Sequence, residues 1–213
     1  MAEDTAPVGG QPSAGAPVTA GAPVTGERPV TGERPLTGGG RPSGALAEPG
    51  VLAEPGVLAE RFTEAMSRLV TGVAVATARR SDGRPLGMLV SSLCSYSVRP
   101  PSVLMAVADG SRTGRELSAR PGTDFGVHLL GADDEALARV FAGGADDKFA
   151  EVLWEWDGDV PRLLGVSGYL RCRVAAAFPH GDHTALVGEV SSCVPGEGQP
   201  LVYYGRRLDW RLR

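Results

Sequence analysis

The chain has 213 residues, with 21 Lys and Arg against 25 Asp and Glu and a net charge of −4. With no basic run, counterion release has nothing to act on, so no nucleic-acid partner is expected. The three cysteines, Cys94, Cys172 and Cys193, are widely spaced and form no Cys-x-x-Cys pair, so neither a disulfide framework nor a zinc site is indicated and buried, reduced thiols are expected.

Composition changes sharply near residue 58. Residues 1–58 hold 9 of the 17 prolines, 12 of the 30 glycines and no aromatic residue. Gly-Ala-Pro-Val-Thr occurs at 15–19 and again at 21–25, and Leu-Ala-Glu-Pro-Gly-Val at 46–51 and 52–57. Such a segment buries too little apolar surface to offset chain entropy, which predicts a disordered Pro/Gly-rich tail over 1–58 and a single domain over 59–213. No apolar run approaches the roughly 20 residues of a membrane span, and the start lacks the basic-then-apolar order of a signal peptide. A cytoplasmic protein without a membrane partner is expected.

From Ala59 the spacing of Phe62, Ala65, Met66, Leu69 and Val70 predicts a helix with one apolar face, stopped by Gly72. Val73–Ala78 reads as a strand, Ser81-Asp82-Gly83-Arg84 as a hairpin turn and Leu86–Leu93 as the returning strand. Ser102–Ala108 is a third strand, Arg115–Ala119 a short helix and Phe125–Leu130 a fourth strand. Asp133 is a candidate cap for a helix carrying Leu137, Val140 and Phe141, with Gly143-Gly144 at its end. Residues 145–165 read as loop. Gly168–Phe178, His183–Val194 and Leu201–Tyr204 complete the strands, with Leu208–Leu212 closing the chain. Strands in series with helices between them indicate a mainly β fold with helical additions, a largely antiparallel barrel. The chain has no Gly-x-Gly-x-x-Gly after a strand and no Gly-x-x-x-x-Gly-Lys, which argues against a Rossmann or P-loop nucleotide site.

Two places carry candidate chemistry. Ser91 and Ser92 fall in what reads as a buried strand, where an unpaired hydroxyl costs roughly 1–3 kcal/mol, so a polar-edged ring is a natural partner for them. Ser111-Arg112-Thr113 follows the next strand. Arg112 can grip a phosphate bidentately, and Thr113 with Glu116 has the form of a capping box at a helix N-terminus. Of the three histidines, His128 in an apolar strand is expected to be a satisfied core residue. His180 and His183 lack the Cys or carboxylate partners a metal site needs. Met66, Met88 and Met105 read as core.

Together with Asp147-Lys148-Phe149-Ala150, Gly181-Asp182-His183-Thr184 and Pro200–Tyr204, these segments resemble, in order from about Phe62 to Trp210, the flavin reductases of two-component monooxygenase systems. The resemblance implies an FMN-binding split β-barrel and an NAD(P)H-dependent flavin reductase. Hydride would pass from NADH or NADPH to FMN or FAD, and reduced flavin would go to a separate monooxygenase or halogenase. It assigns Met88, Val90, Ser91, Ser92, Ser111, Arg112, Thr113, Lys148, Phe149 and Asp182 to cofactor binding and His183 to catalysis, beside the nicotinamide. It also implies a homodimer. Leu89 stands where the family commonly has Thr, so this position packs against the ring instead of bonding it. A flavin carrier or sensor on the same fold is the alternative from another class, and a pyridoxamine-phosphate oxidase-like enzyme is a third.

Overall fold

The computed structural model of the chain describes residues 55–210. The tail expected over 1–58 lies outside the described residues except for its last four. Those four belong to a helix, α1 (Pro55–Met66), which therefore begins four residues before the expected Ala59. Proline is suited to a first helical turn, because its missing N–H would have no partner there. The apolar face of α1 and the turn after it stays uncovered: Leu58, Phe62, Met66, Leu69 and Val70 are all exposed, so Met66 is not a core residue.

Seven strands form one antiparallel sheet: β2 (Ala74–Arg79), β3 (Pro85–Val90), β4 (Cys94–Val98), β5 (Pro101–Ala108), β6 (Asp124–Leu129), β9 (Gly168–His180) and β10 (His183–Pro195), in the order β3-β2-β6-β9-β10-β5-β4. The Asp82-Gly83 turn joins β2 to β3, with Gly83 at φ 86° as such a turn requires. The sheet curls until its ends meet. Just past β3, Ser92 Oγ donates to the Ala106 carbonyl of β5 at 2.8 Å and accepts the Ala106 N–H at 3.0 Å. The result is a split barrel filled by alternate residues of each strand: Ala74, Ala76 and Ala78, Met105 and Val107, Phe125 and Val127, Cys172 and Leu186. Leu117 of α2 (Arg112–Ala119) packs into this interior.

A second core lies on the outer face of β2 and β6. Val73, Val75 and Leu130 pack there against Ala138 and Phe141 of α3 (Glu135–Ala142), Phe149, Leu163 and Leu201. It is roofed by a hairpin, β7 (Trp154–Asp157) and β8 (Val160–Leu163), in a stretch expected to be loop. A small sheet of β1 (Thr71–Gly72), β11 (Val202–Tyr204) and β12 (Arg207–Trp210) completes the described chain. β4 was also not anticipated, because Cys94, Ser95, Tyr96 and Val98 on this edge strand are all exposed and leave no apolar alternation.

Two more expectations need correcting. Only Cys172 is a buried thiol; Cys94 and Cys193 are exposed. α3 is preceded by Asp134, not Asp133, at its cap position, and the Asp134 carboxylate accepts the Gly131 N–H at 2.7 Å without capping the helix.

Candidate active site

The C-terminal end of β5 and the N-terminal end of β10 lie side by side, with Ala108 paired to His183. Most of the candidate site hangs from these ends and from β3, and the loop after α3 adds Asp146, Lys148 and Phe149. Two bonds lock the turns that leave them: Asp109 N–H donates to the Asp182 carbonyl at 3.0 Å, and Thr184 Oγ1 donates to Asp109 Oδ1 at 2.7 Å. The loop after β5 and the Gly181-Asp182 turn before β10 are therefore tied together.

On the outer face of these strands is a groove of about 200 Å3, bordered by Met88, Leu89, Val90, Ser91, Ser92, Ala106, Ala108 and His183. Its floor exists because Ala106 and Ala108 alternate with the inward Met105 and Val107, and small side chains on the outer face leave room. That alternation was legible in the sequence and is the signal by which these two alanines, missed as site residues, can be found. Val90 is 4 % exposed and belongs to the barrel core, so it borders the groove without offering a polar side chain. Ser91 and Ser92 are not in a buried strand. β3 ends at Val90 because β2, its partner, begins at Ala74 opposite it, and both serines are exposed beyond that point. The Ser92 hydroxyl is committed to Ala106, while that of Ser91 is exposed beside the groove. His183 is half-exposed. Its Nδ1 lies 2.7 Å from Asp182 Oδ1, so in the neutral ring Nδ1–H donates and Nε2 is left as an acceptor. The same bond holds the Asp182 carboxyl below the usual carboxylate range.

A second, smaller cleft of about 50 Å3 shares Met88 with the groove and is walled by Ser111, Arg112, Thr113, Asp146, Lys148 and Phe149. Ser111, not Thr113, caps α2: its Oγ accepts the Gly114 N–H at 2.8 Å. Thr113 lies inside the first turn and is 3 % exposed, which leaves its backbone amide, with that of Arg112, as the donor at the helix start. Gly114 is a further residue the sequence reading missed. A Cβ there would lie 2.2 Å from the Ala108 carbonyl oxygen and 2.7 Å from Ser111 Oγ, so only glycine lets α2 seat against the end of β5. The Arg112 guanidinium reaches Asp146 Oδ1 and the Ala145 carbonyl, each at 2.7 Å. Lys148 donates to the Phe141 carbonyl at the end of α3 at 2.8 Å, and burial, helped by the neighbouring Arg112, pushes its ammonium pKa down. Phe149 is 5 % exposed and meets Phe141 and Trp154 edge-on, so its ring belongs to the second core and presents little face for stacking on a dinucleotide.

Helix-start amides, a guanidinium and an ammonium make a donor set suited to a phosphate. The adjoining groove, apolar on its floor and polar at its rim, suits a flat ring with polar edges. The residues present thus fit a flavin nucleotide.

Comparison with known proteins agrees. The family described as "Flavin reductase like domain" matches residues 66–210. A flavin reductase (NADH) of Kitasatospora aureofaciens is 37 % identical over 152 residues, spanning 69 % of this chain and 78 % of its own length. The flavin reductase of styrene monooxygenase from Pseudomonas putida S12 superposes with a TM-score of 0.62 at 32 % identity, covering 68 % of this chain and 93 % of its own. The Streptomyces globisporus C-1027 NADH:FAD oxidoreductase SgcE6, solved with NAD and FAD fragments, gives a TM-score of 0.65 at 30 % identity over 74 % of this chain and 94 % of its own. By matched span, sequence identity and fold, the chain belongs to the flavin reductase-like domain family.

Proposed function

We propose that this chain transfers hydride from the nicotinamide of NADH or NADPH to FMN or FAD and releases the reduced flavin to a separate monooxygenase or halogenase. What carries the reading is the juxtaposition, across Met88, of a polar-rimmed groove and a phosphate-binding donor cluster on locked strand ends. The bound flavin ring supplies the hydride-accepting chemistry, so the protein's share is orientation. Arg112, Lys148 and the amides of Arg112 and Thr113 hold the phosphate. The Ser91 hydroxyl and the backbone of 88–90 meet the ring edge, and Ser92 holds the β3 end against β5. Asp182 orients His183, whose free Nε2 positions the nicotinamide. No general acid or nucleophile is asked of the site.

The domain that does this work is assigned to 59–213. Among the described residues no helix is long and apolar enough to cross a membrane, and we place the protein in the cytoplasm. The exposed apolar face of Phe62, Met66, Leu69 and Val70 supports a homodimer, since a contiguous uncovered patch of this kind marks an interface. Light scattering checks it: a dimer mass is expected, and a fully active monomer contradicts it.

Absorbance at the nicotinamide band tests the activity. Substoichiometric protein should consume NADH or NADPH when FMN or FAD is added. Tight flavin binding without consumption of either nucleotide would favour a carrier or sensor.

A further inference from the structure

Arg112 is already occupied. Its two terminal nitrogens grip the Asp146 carboxylate and the Ala145 carbonyl, both on the loop that leaves α3 through Gly143-Gly144. The cleft behind it, about 50 Å3, has space for little more than a water or two, and the Asp146 carboxylate lines its wall. A phosphate that takes both terminal nitrogens of Arg112 end-on competes with the Asp146 carboxylate and the Ala145 carbonyl already there. The neighbouring Asp147 is committed elsewhere, its Oδ1 accepting the Phe149 N–H at 3.0 Å. Asp146, by contrast, has a side chain 98 % exposed and is held on the site by Arg112.

We infer that Asp146 is a specificity-determining residue: its carboxylate stands in for phosphate on Arg112, and a flavin carrying a phosphate ester must displace it whereas riboflavin need not. The inference rests on the reading that Arg112 receives the flavin phosphate. The exchange is feasible because an exposed ion pair is weak, while a phosphate offers the guanidinium two oxygens and more charge, with Lys148 and the helix-start amides adding further donors. Once displaced, Asp146 has a second cation nearby. Arg84 lines one cleft together with Asp146 and Asp147. The same residue therefore sets how strongly the site prefers phosphorylated flavin over the free vitamin form.

Fluorescence titration with FMN and with riboflavin, without nicotinamide, tests this in the wild type, Asp146→Asn, Arg112→Ala and the double variant. Asp146→Asn should tighten FMN about three- to fivefold, the worth of an exposed ion pair, and leave riboflavin unchanged. The gain should vanish in the Arg112→Ala background, where the carboxylate has nothing to release. Unchanged or weaker FMN binding in Asp146→Asn, with Arg112→Ala still selective against FMN, overturns the inference and makes Asp146 a support that positions Arg112. If Arg112→Ala weakens FMN and riboflavin equally, the phosphate reading itself fails, and the inference with it. A gain confined to NADH in a parallel titration moves the displaced phosphate to the dinucleotide and overturns the assignment to flavin.

Discussion

Two histidines of one sheet differ in how much of their hydrogen-bonding capacity the fold uses. His128, on the outer face of β6, is 0 % exposed. Its Nδ1–H donates to the Val75 carbonyl at 3.1 Å, and its Nε2 accepts the Leu163 N–H at 3.0 Å, so the ring ties β8 to β2 beneath the β7–β8 hairpin. Tyr169 stacks beside it, with ring centroids 5.0 Å apart. His183, at the start of β10, spends one nitrogen on Asp182 and keeps the other. The first histidine is finished by the fold, as expected for a core residue, and the second keeps an exposed nitrogen open to solvent or a ligand. The same contrast separates Ser92, used up on Ala106, from Ser91. Ser91 and His183, the two with polar atoms left open, both border the candidate groove at the strand ends.

His128 carries the largest expected effect. Its replacement by Ala leaves the buried Leu163 N–H unpaired, takes a second bond from the Val75 carbonyl and opens a ring-sized void, a loss of about 3–5 kcal/mol. A fall in Tm on the order of 10 °C is expected by calorimetry. A fall below about 2 °C would mean that the hairpin is held without the ring.

Titration sharpens the same point. Burial pushes the His128 pKa down to about 4 from its ordinary 6.5. Between these values the unfolded chain takes up a proton that the folded chain refuses. Stability from this group is therefore complete above about pH 6.5, declines as pH falls toward 4 and is level below, a total on the order of 3 kcal/mol. Urea midpoints across that range should show the slope in the wild type and lose it in His128→Gln, whose amide can still donate and accept. An equal slope in both would place the titrating group elsewhere.

Effects in the open region are smaller and fall on ligands. Arg112→Ala should weaken FMN about ten- to a hundredfold relative to riboflavin, the worth of a charge-assisted bond of about 1.5–3 kcal/mol. Equal losses for both ligands would take Arg112 away from the phosphate. Gly114→Ala forces α2 off the end of β5, at about 1–3 kcal/mol of stability, and should weaken FMN more than riboflavin because the helix-start amides move with the turn. A stability loss without that selectivity would separate the turn from the phosphate.

The division also explains what the sequence made legible. Val73–Ala78 and Phe125–Leu130 carry buried apolar residues on both faces, with Thr77 and His128 as buried polar exceptions, because each lies between the barrel interior and the second core, and such runs read as strands without help. The β7–β8 hairpin was hidden. Pro161 and Trp154-Glu155-Trp156 look like loop, although Gly158-Asp159, with Gly158 at φ 61°, is a hairpin dipeptide between the paired Asp157 and Val160. The site segments could be read because each is contiguous: Ser91-Ser92, Ser111 to Thr113, Lys148, Asp182-His183. Which of their atoms are free could not. Arg112 meets Asp146 34 residues away, Ser92 meets Ala106 14 residues away, and Phe149 turns its ring into the second core. Those pairings follow from how strands and loops come together, and no local pattern encodes them.

His183 bears the central claim that a polar atom left over by the fold is used on the nicotinamide. Steady-state turnover with NADH, measured beside flavin affinity in His183→Ala, tests it most directly. The account predicts flavin affinity within about threefold of wild type and a tenfold or greater loss in kcat/KM for NADH, since a misplaced ring costs orientation and not binding. Wild-type kcat/KM with unchanged affinity for both ligands would remove His183 from the site and make the Gly181-Asp182-His183 segment an ordinary turn between two strands.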